Sequence, residues 1–583
     1  MMDKRSPQRW GSDVIVDLMR AYGFPYATIN PGSSFRGLHD SMINYGGNQP
    51  EMLLCPHEEI AVQIAHGYAK ATGKPMVAIV HDVVGLLHSS MAVYYAYIDR
   101  APVFIIGATG PLAEAQRRPM IDWIHTANVQ GEAVRAYTKW DYQPASIDGF
   151  PESFARAYSA MMTEPKGPVY MCYDAGLQEM PLDRAISLEV TKGQRVPAPL
   201  AANTETLDAA AKMLVEAEHP VILAEYSGGR AGGFAHLIEL AETVSAPVVD
   251  VDSRLNFPNR HPLSLSLVED VFLDADLVLC LDVRNWERVT SRLDKTTRAA
   301  TDVVPATCRW IDLGFADIGI SSWSMDYQRF RKADLRILAD TVTAVPRLTS
   351  LCRDRLAAGH ATQSRNAERW ERIARRHAAA REAWTKEARE RWDESPISLP
   401  RLAGELWSVI QNEDWVLTAN TLRGWARRLW AFDAPHQHPG ESLGTATQIG
   451  ISLGVALAHK GTGRLVVDIQ PDGDLMFDAG ALWVAAKYEI PMLVVMFNNR
   501  AYYNDWEHQI HMARLRGTPE ERAHIGMDLS DPAPDFAMLA RSMGWHGTGP
   551  IEEPGDLAPA LREAVHQVKS GQPALVDVVT QKR

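Results

Sequence analysis

"DIQPDGDLMFDAGALWVAAKYEIPMLVVMFNNRAYYNDW", Asp468 to Trp506, is the stretch that decides the fold. An apolar strand runs into Asp-Gly-Asp, a small-residue helix follows, and a second apolar strand, "PMLVVMF", ends on two asparagines. Asp and Asn are poor strand residues, so a pair closing such a run is aimed at something rather than packed. Strand, helix and strand in this order form the unit of a parallel sheet, whose ligands bind beyond the carboxyl ends of the strands. With the two strands side by side, Asp472, in a turn made by Gly473, would meet Asn499. Two convergent hard oxygens suit Mg²⁺ or Ca²⁺, and the turn amides and helix N-terminus beside them suit a metal-bridged diphosphate. Either piece alone reads as an Asx-turn or a strand cap; together, at this spacing, they read as a site.

The same alternation recurs along the chain. "DVIVDLMRAYG" precedes "YATIN", "IAVQIAHGYAKATG" precedes "PMVAIVH", and "SMAVYYAYIDR" precedes "PVFIIGA". It returns from about Leu207 and again from about Leu402, which predicts an α/β protein of three doubly wound parallel-sheet domains. The expected divisions are 1–190, a central Rossmann-like domain over 200–355, a helical linker over 360–395, and 396–583. The linker, "RNAERWERIARRHAAAREAWTKEARERWDE", lacks Gly and Pro and is rich in Ala, Arg and Glu, the composition of a long, mostly exposed helix. Pro-rich "RVPAPLAAN" marks the earlier boundary. "HGYAKATGKPMVAIVHDVVG" (His66 to Gly85) and "LGVALAHKGTGRLVVDIQPDG" (Leu453 to Gly473) share a small-residue helix, a Gly-bearing turn, an apolar strand and a polar loop, as a duplicated module would. Both post-strand loops, "HDVVG" and "PDGD", are therefore candidate sites.

A chain of 583 residues exceeds one core and predicts about three or four domains. Its net charge of -13 is diffuse and no basic run is interleaved with aromatics, which argues against a nucleic-acid partner. The five cysteines, Cys55, Cys172, Cys280, Cys308 and Cys352, are scattered with no CxxC pair, as expected of reduced thiols. The N-terminal stretch lacks the apolar core of a signal peptide, and no apolar run approaches the ~18 residues of a membrane helix. A cytoplasmic protein without a membrane partner is expected.

Twenty-four residues separate Gly473 from Asn498, and the segment resembles the cofactor motif of thiamine-diphosphate-dependent enzymes of the benzoylformate decarboxylase and acetohydroxyacid synthase group. The resemblance extends over essentially the whole chain, as pyrimidine-binding, central and diphosphate-binding domains. It implies thiamine diphosphate and Mg²⁺ as cofactors, with Asp472, Asn499 and the carbonyl of Ala501 as metal ligands and with Gly473 and Asp474 against the diphosphate. Pro471 stands where the family usually has Gly and offers no amide. "CPHEEIAVQIAHGYAKATGKP" resembles the family's glutamate segment. Counting nine residues back from Gly67 selects Glu58, the carboxylate that would hydrogen-bond the pyrimidine ring; flanked by apolar residues, it is expected to be desolvated and raised in pKa. "PGESLGTATQIGISLG" is similar to the wedge segment, which would place Leu443 beneath the bent cofactor and the Glu441 and Ser442 backbone near its pyrimidine.

Substrate choice falls to the rest of the pocket. "NPGSSFRGLHDS" resembles the decarboxylase loop that binds a substrate carboxylate, implying that role for Ser33, and "VHDVVG" resembles its His-bearing loop, implying that His81 handles protons. Where that decarboxylase supplies a second active-site His from its central domain, this chain reads "LDVRNWERV", with Trp286 and no His. "RAYYNDWEHQ" puts Tyr502 and Tyr503 at the mouth. "YSGGRAGGF" (Tyr226 to Phe234) is a Gly-rich turn of the kind that in relatives contacts FAD or an ADP/CoA-type nucleotide; such turns are weak signals, and the balance of the sequence is against a bound nucleotide. The expected activity is cleavage or formation of a C–C bond next to a carbonyl, as a 2-oxoacid decarboxylase or carboligase. The alternatives are a lyase of 2-hydroxyacyl-CoA or a hydroxyketone, and a catalytically silent partner subunit, against which the intact Glu58, Asp472 and Asn499 argue. A small carbonyl substrate and self-association to a dimer or tetramer are implied by the same resemblance.

Overall fold

In the computed structural model, residues 7–582 are described, except 252, 316–317, 319–320, 326–329, 358–359 and 442–443. Three parallel sheets form the body, each made from runs of three to seven residues that helices cover on both faces. In the first, β1 (Tyr26–Ile29), β2 (Glu51–Leu54), β3 (Met76–Val80), β4 (Val103–Thr109), β5 (Trp140–Tyr142) and β6 (Val169–Asp174) lie in the order 2-1-3-4-6-5. The second contains β7 (Pro220–Ala224), β8 (Val248–Asp250) and β9 (Leu277–Leu281). It also holds β12 (Arg309–Gly314) and β13 (Leu335–Leu338), in the order 13-12-9-7-8. Between β9 and β12 the chain makes an antiparallel ribbon, β10 (Ser291–Leu293) with β11 (Ala300–Asp302), which the sequence reading did not anticipate. The third sheet, β14 (Trp415–Thr418), β15 (Leu465–Pro471), β16 (Leu493–Asn498), β17 (His546–Ile551) and β18 (Ala574–Val579), runs 14-15-16-18-17. The strand order reverses in every sheet, which makes all three doubly wound.

Two glycine-bearing helices join the first and third sheets. The Glu58–Thr72 helix crosses the Gln448–His459 helix so closely that their backbones touch. A Cβ at Gly67 would overlap the carbonyl oxygen of Ile451, and one at Gly454 the carbonyl oxygen of Ile64. Gln63 bridges the crossing, donating to Asp478 Oδ2 at 2.7 Å and to the Ala446 carbonyl at 2.8 Å. One apolar core, from Leu53 and Ile64 through Leu453 to Met496, runs continuously across this junction.

The central domain is pinned at the same corner. Asp99, fully buried, accepts from His66 (2.7 Å) and Arg254 (2.7 Å) and pairs with Lys70 (2.8 Å), whose ammonium also donates to the Glu441 carbonyl. Burial works against that charge, but Arg254 and Lys70 outweigh it and hold the Asp99 carboxyl below the usual carboxylate range. Arg100 adds a buried pair with Asp282 at 2.7 Å.

The His360–Glu390 helix lies where a long helix was expected, with a difference. It is more than a solvated linker: Arg369, 2% exposed, donates to the carbonyls of Ser245 and Ala217 at 2.9 Å, and Ile373 joins the central core. A guanidinium is buried at tolerable cost when its donors meet several carbonyls at once. The five cysteines are free and buried. No helix among the described residues is long and apolar enough to cross a membrane.

Replacing Gly67 by Ala is expected to destabilise the protein by about 1–3 kcal/mol, because the added Cβ meets backbone, which cannot rotate away. Urea unfolding of the variant beside the parent tests this; an unchanged midpoint would mean that the crossing is not tight.

Candidate active site

The residues singled out by the sequence follow the carboxyl ends of strands in the first and third sheets. β15 pairs with β16 from Val467↔Leu493 to Pro471↔Phe497, so the residues that follow both strands emerge together. Asp472-Gly473-Asp474 is the first turn of the Asp472–Asp478 helix rather than a free turn, with Pro471 as its N-cap. Proline suits that place, since the donors at a helix start have no intrahelical partner to lose. Gly473 is required by space and not by a turn conformation: a Cβ there would overlap the ring of Tyr502.

Asp472 is 3% exposed, accepts from Gly473 N at 2.9 Å and from Ala501 N at 3.1 Å, and is pushed up to about 6 by burial. Asn499 Oδ1 beside it is buried with no hydrogen-bond partner. Further buried oxygens without partners are Asp468 Oδ2 and Gln470 Oε1 on β15 and Asp577 Oδ2 on β18, strands that β16 separates. Burial pushes Asp468 up to about 8 and Asp577 to about 6. The buried Asp472 carboxylate and the unpartnered Asn499 oxygen, at neighbouring strand ends, fit a hard divalent cation, which would supply the missing positive charge. Asp474 is turned to the protein instead, accepting from Ala446 N at 2.5 Å and Gln470 Nε2 at 3.1 Å. Glu441 accepts from Thr421 Oγ1 at 2.8 Å. Ser442 and Leu443 lie outside the described residues.

Glu58 opens its helix at 4% exposure, behind His57 as N-cap. Gly85 makes room for it, since a Cβ there would lie 2.8 Å from Glu58 Oε1, and His88 Nδ1 is 3.2 Å from Oε2. The rings of His57 and His88 stack at 5.1 Å, and His57 Nδ1 is 3.9 Å from Asp478 Oδ1. Thus the helix that Asp472 begins abuts the one that Glu58 begins, within a single chain. Burial, with the charges of Asp478 and Asp474 against it, pushes the neighbouring Glu59 up to about 7.

His81 follows β3, and Gly32 of the "NPGSS" loop after β1 leaves its ring space, for a Cβ there would overlap Nδ1. Ser34 Oγ bonds His81 Nδ1 at 2.9 Å, while Ser33 sits on the exposed side of the same turn. Sequence reasoning named the first of two adjacent serines; the doubled Ser was the only signal for the second. It also missed His88 and Gly85, which lie in the continuation of the His81 loop. The ring of Tyr502 covers Gly473, and Tyr503 is 5.7 Å from Trp506 at the start of the Tyr503–Arg516 helix.

Trp286 corrects an expectation. It is 6% exposed, stacks on Trp310 at 5.0 Å within the central core, and donates its indole N–H to the Val283 carbonyl. An indole satisfied by local backbone and another indole is packing, not a pocket wall. The Gly-rich turn forms Ser227–Gly229 beside a cavity of about 1250 Å³. Gly228 N already donates to Asn256 Oδ1 at 2.7 Å, and Arg230 is neutralised by Glu164 and Asp340.

Comparison with known proteins accords with this arrangement. Family models for the thiamine pyrophosphate enzyme N-terminal TPP binding domain, central domain and C-terminal TPP binding domain match residues 9–131, 207–343 and 420–578. The chain is similar to an acetolactate synthase isozyme 3 large subunit of Escherichia coli, 24% identical over 97% of this chain and 94% of that one. It is also similar to a benzoylformate decarboxylase of Pseudomonas aeruginosa, at 23% over 97% and 98%. Among solved structures, a thiamine diphosphate-dependent 4-hydroxybenzoylformate decarboxylase of Rhodococcus jostii superposes with a TM-score of 0.75 at 18% identity, over 98% and 99% of the two chains.

Glu59 is a protonation-linked strain on this cleft. Its folded value, near 7, exceeds the ordinary ~4.3, so the folded state binds more protons and stability is lost as pH rises between the two values. Glu59→Gln is expected to stabilise the protein at pH 8 by on the order of 2 kcal/mol, with the gain vanishing toward pH 4. Thermal melts of both proteins across that range test it, and a gain independent of pH would sink the assignment.

Proposed function

The chain belongs to the thiamine pyrophosphate enzymes, and from that premise we propose that it breaks or forms the C–C bond next to a carbonyl, as a 2-oxoacid decarboxylase or carboligase, with thiamine diphosphate and Mg²⁺. The observation that carries the reading is a buried carboxylate, Asp472, after β15 and the buried, unpartnered amide oxygen of Asn499 after β16, at neighbouring strand ends of the third sheet, with Glu58 buried at the head of its own helix. Both named relatives, an acetolactate synthase and a benzoylformate decarboxylase, support the reaction class.

In this reading Asp472, Asn499 and the Ala501 carbonyl hold the metal, and Gly473 and Asp474 border the diphosphate. Leu443, Ser442 and Glu441 border the rest of the cofactor. When bound, thiamine diphosphate supplies an electron sink for the bond that breaks. Glu58 anchors the pyrimidine through its carboxyl, and the apolar surround strengthens that contact by excluding water. His81 holds the proton that the new aldehyde needs, oriented by Ser34. The "NPGSS" loop meets the substrate carboxylate through Ser33, and Tyr502 and Tyr503 bound the acyl group. A nucleotide is no part of the proposal.

The protein is proposed to work as a dimer or tetramer. Met476 and Phe477, about half exposed, and Leu87, 57% exposed, sit on the helices that flank His57 and His88, where large apolar side chains call for a cover.

The decisive assay is release of CO₂ and aldehyde by dialysed protein, with and without thiamine diphosphate and Mg²⁺, on pyruvate, benzoylformate, a hydroxyketone and a 2-hydroxyacyl-CoA. Cofactor-dependent CO₂ from a 2-oxoacid is expected; aldehyde without CO₂ would make the protein a lyase of the other substrates. Glu58→Gln should lower turnover by about 10²–10⁴-fold with cofactor still bound, while Asn499→Ala should need more Mg²⁺ for the same activity. Full turnover by Glu58→Gln would refute the assignment.

A further inference from the structure

The loops that follow β1, β3 and β4 emerge side by side, because these strands are neighbours in the first sheet. They place Ser34, His81 with Asp82, and His125 at one spot. The rings of His81 and His125 lie 5.5 Å apart, edge to face. One ring nitrogen of each and a carboxylate oxygen of Asp82 all fall within 4.8 Å of one another, and Asp82 Oδ2 is 3.6 Å from His81 Nδ1. Three separate features converge on Asp82. It is 1% exposed, its Oδ1 has no partner, and its φ of 45° is a left-handed conformation that costs a non-glycine residue energy. A strained, buried, half-satisfied carboxylate between two imidazoles is held there against local preference. His125 closes the short Ile121–His125 helix and, like His81, is only partly covered.

We propose that His125 is a relay residue that returns a proton to His81 through the Asp82 carboxylate. The inference rests on the proton role proposed for His81. Decarboxylation of a 2-oxoacid anion takes up one proton per turnover: the electrons of the broken C–C bond end in the aldehyde C–H bond, and CO₂ leaves. His81 gives that proton, Asp82 passes it the next from His125, and His125 is refilled from water; nothing is oxidised or reduced. Loose hydrogen bonds of this kind tighten when substrate fills the site.

The charges around the trio agree. Burial lowers the His81 pKa, the charge of His125 lowers it further, Glu58 opposes this, and Arg118 adds to it. Burial pushes Asp82 up to about 6, against Ser34, His125 and Arg118, while Asp122 pushes the same way as burial. Asp122 itself is engaged by Arg118 at 2.8 Å. Burial lowers His81 and raises Asp82, which brings the two groups closer and reduces the driving force for a proton to move between them.

The test compares His81→Gln, His125→Gln and His125→Ala on benzoylformate and pyruvate in the holoenzyme. His125→Gln is expected to slow aldehyde formation by about 10–100-fold while a first turnover of CO₂ still appears as a burst. Added imidazole should restore aldehyde formation to His125→Ala. Apart from activity, the His81 ring proton, identified by its loss in His81→Gln, should titrate at higher pH in His125→Gln, since a cation has been removed. Parent rates in His125→Gln with an unmoved His81 titration would overturn the relay, as would a loss that imidazole does not restore with CO₂ and aldehyde falling together. Parent rates in His81→Gln would instead remove the proton role of His81, and the relay with it.

Discussion

Everything at the cleft depends on how closely two helices approach. Where Gly67 meets Ile451 and Gly454 meets Ile64, side chains are absent and backbone lies on backbone. Helices carrying larger residues pack at about 8–10 Å; here Gln63 spans the crossing to Asp478 and the Ala446 carbonyl together. The crossing therefore fixes the distance between the N-terminus that carries Glu58 and the one that carries Asp472. The placing of those two N-termini follows from glycines that carry no side chain of their own.

A second constraint is electrostatic. The third sheet gathers Asp468, Asp472 and Asp577 in surroundings that raise all three carboxyls. Hydrogen bonds from Gln448, Gly473, Ala501 and Asn498 offset part of that cost. The unpartnered oxygens left over are the part that a cation would satisfy. At the Asp99 corner the same problem is solved internally, where Arg254, Lys70 and His66 surround one carboxylate and leave no vacancy for an ion. The contrast is one of countercharge: Asp99 has its cations in the chain, whereas Asp472 has backbone amides alone among its hydrogen-bond donors.

The ribbon β10–β11 gives the central domain a further part. Lys295 at its turn lies 3.3 Å from Glu507, and Thr296 is 3.3 Å from His511, on the helix that begins at Tyr503. The polar side chains after the two asparagines are thus partly spent on docking the central domain, which leaves Tyr502, against Gly473, as the nearer wall of the cleft.

The sequence by itself determined the three parallel sheets, the neighbouring strands that Asp472 and Asn499 follow, and Glu58 at the head of its helix. Each depends on a short range of chain: period and flanking turns define the strands, and adjacency of β15 and β16 follows from one strand-helix-strand unit. Tertiary structure alone decided which serine faces His81, that Trp286 packs on Trp310, that Arg369 is clamped rather than solvated, and that His88 meets Glu58 and His125 meets His81. These residues are set by sheet order and by side-chain direction at strand ends. Ser34, His81 and His125 meet because β1, β3 and β4 are neighbours although other elements intervene in the chain, and Asp82 faces them because of one left-handed backbone angle. Periodicity reports which face of an element is buried, but which distant loop it is buried against is a property of the packed sheet.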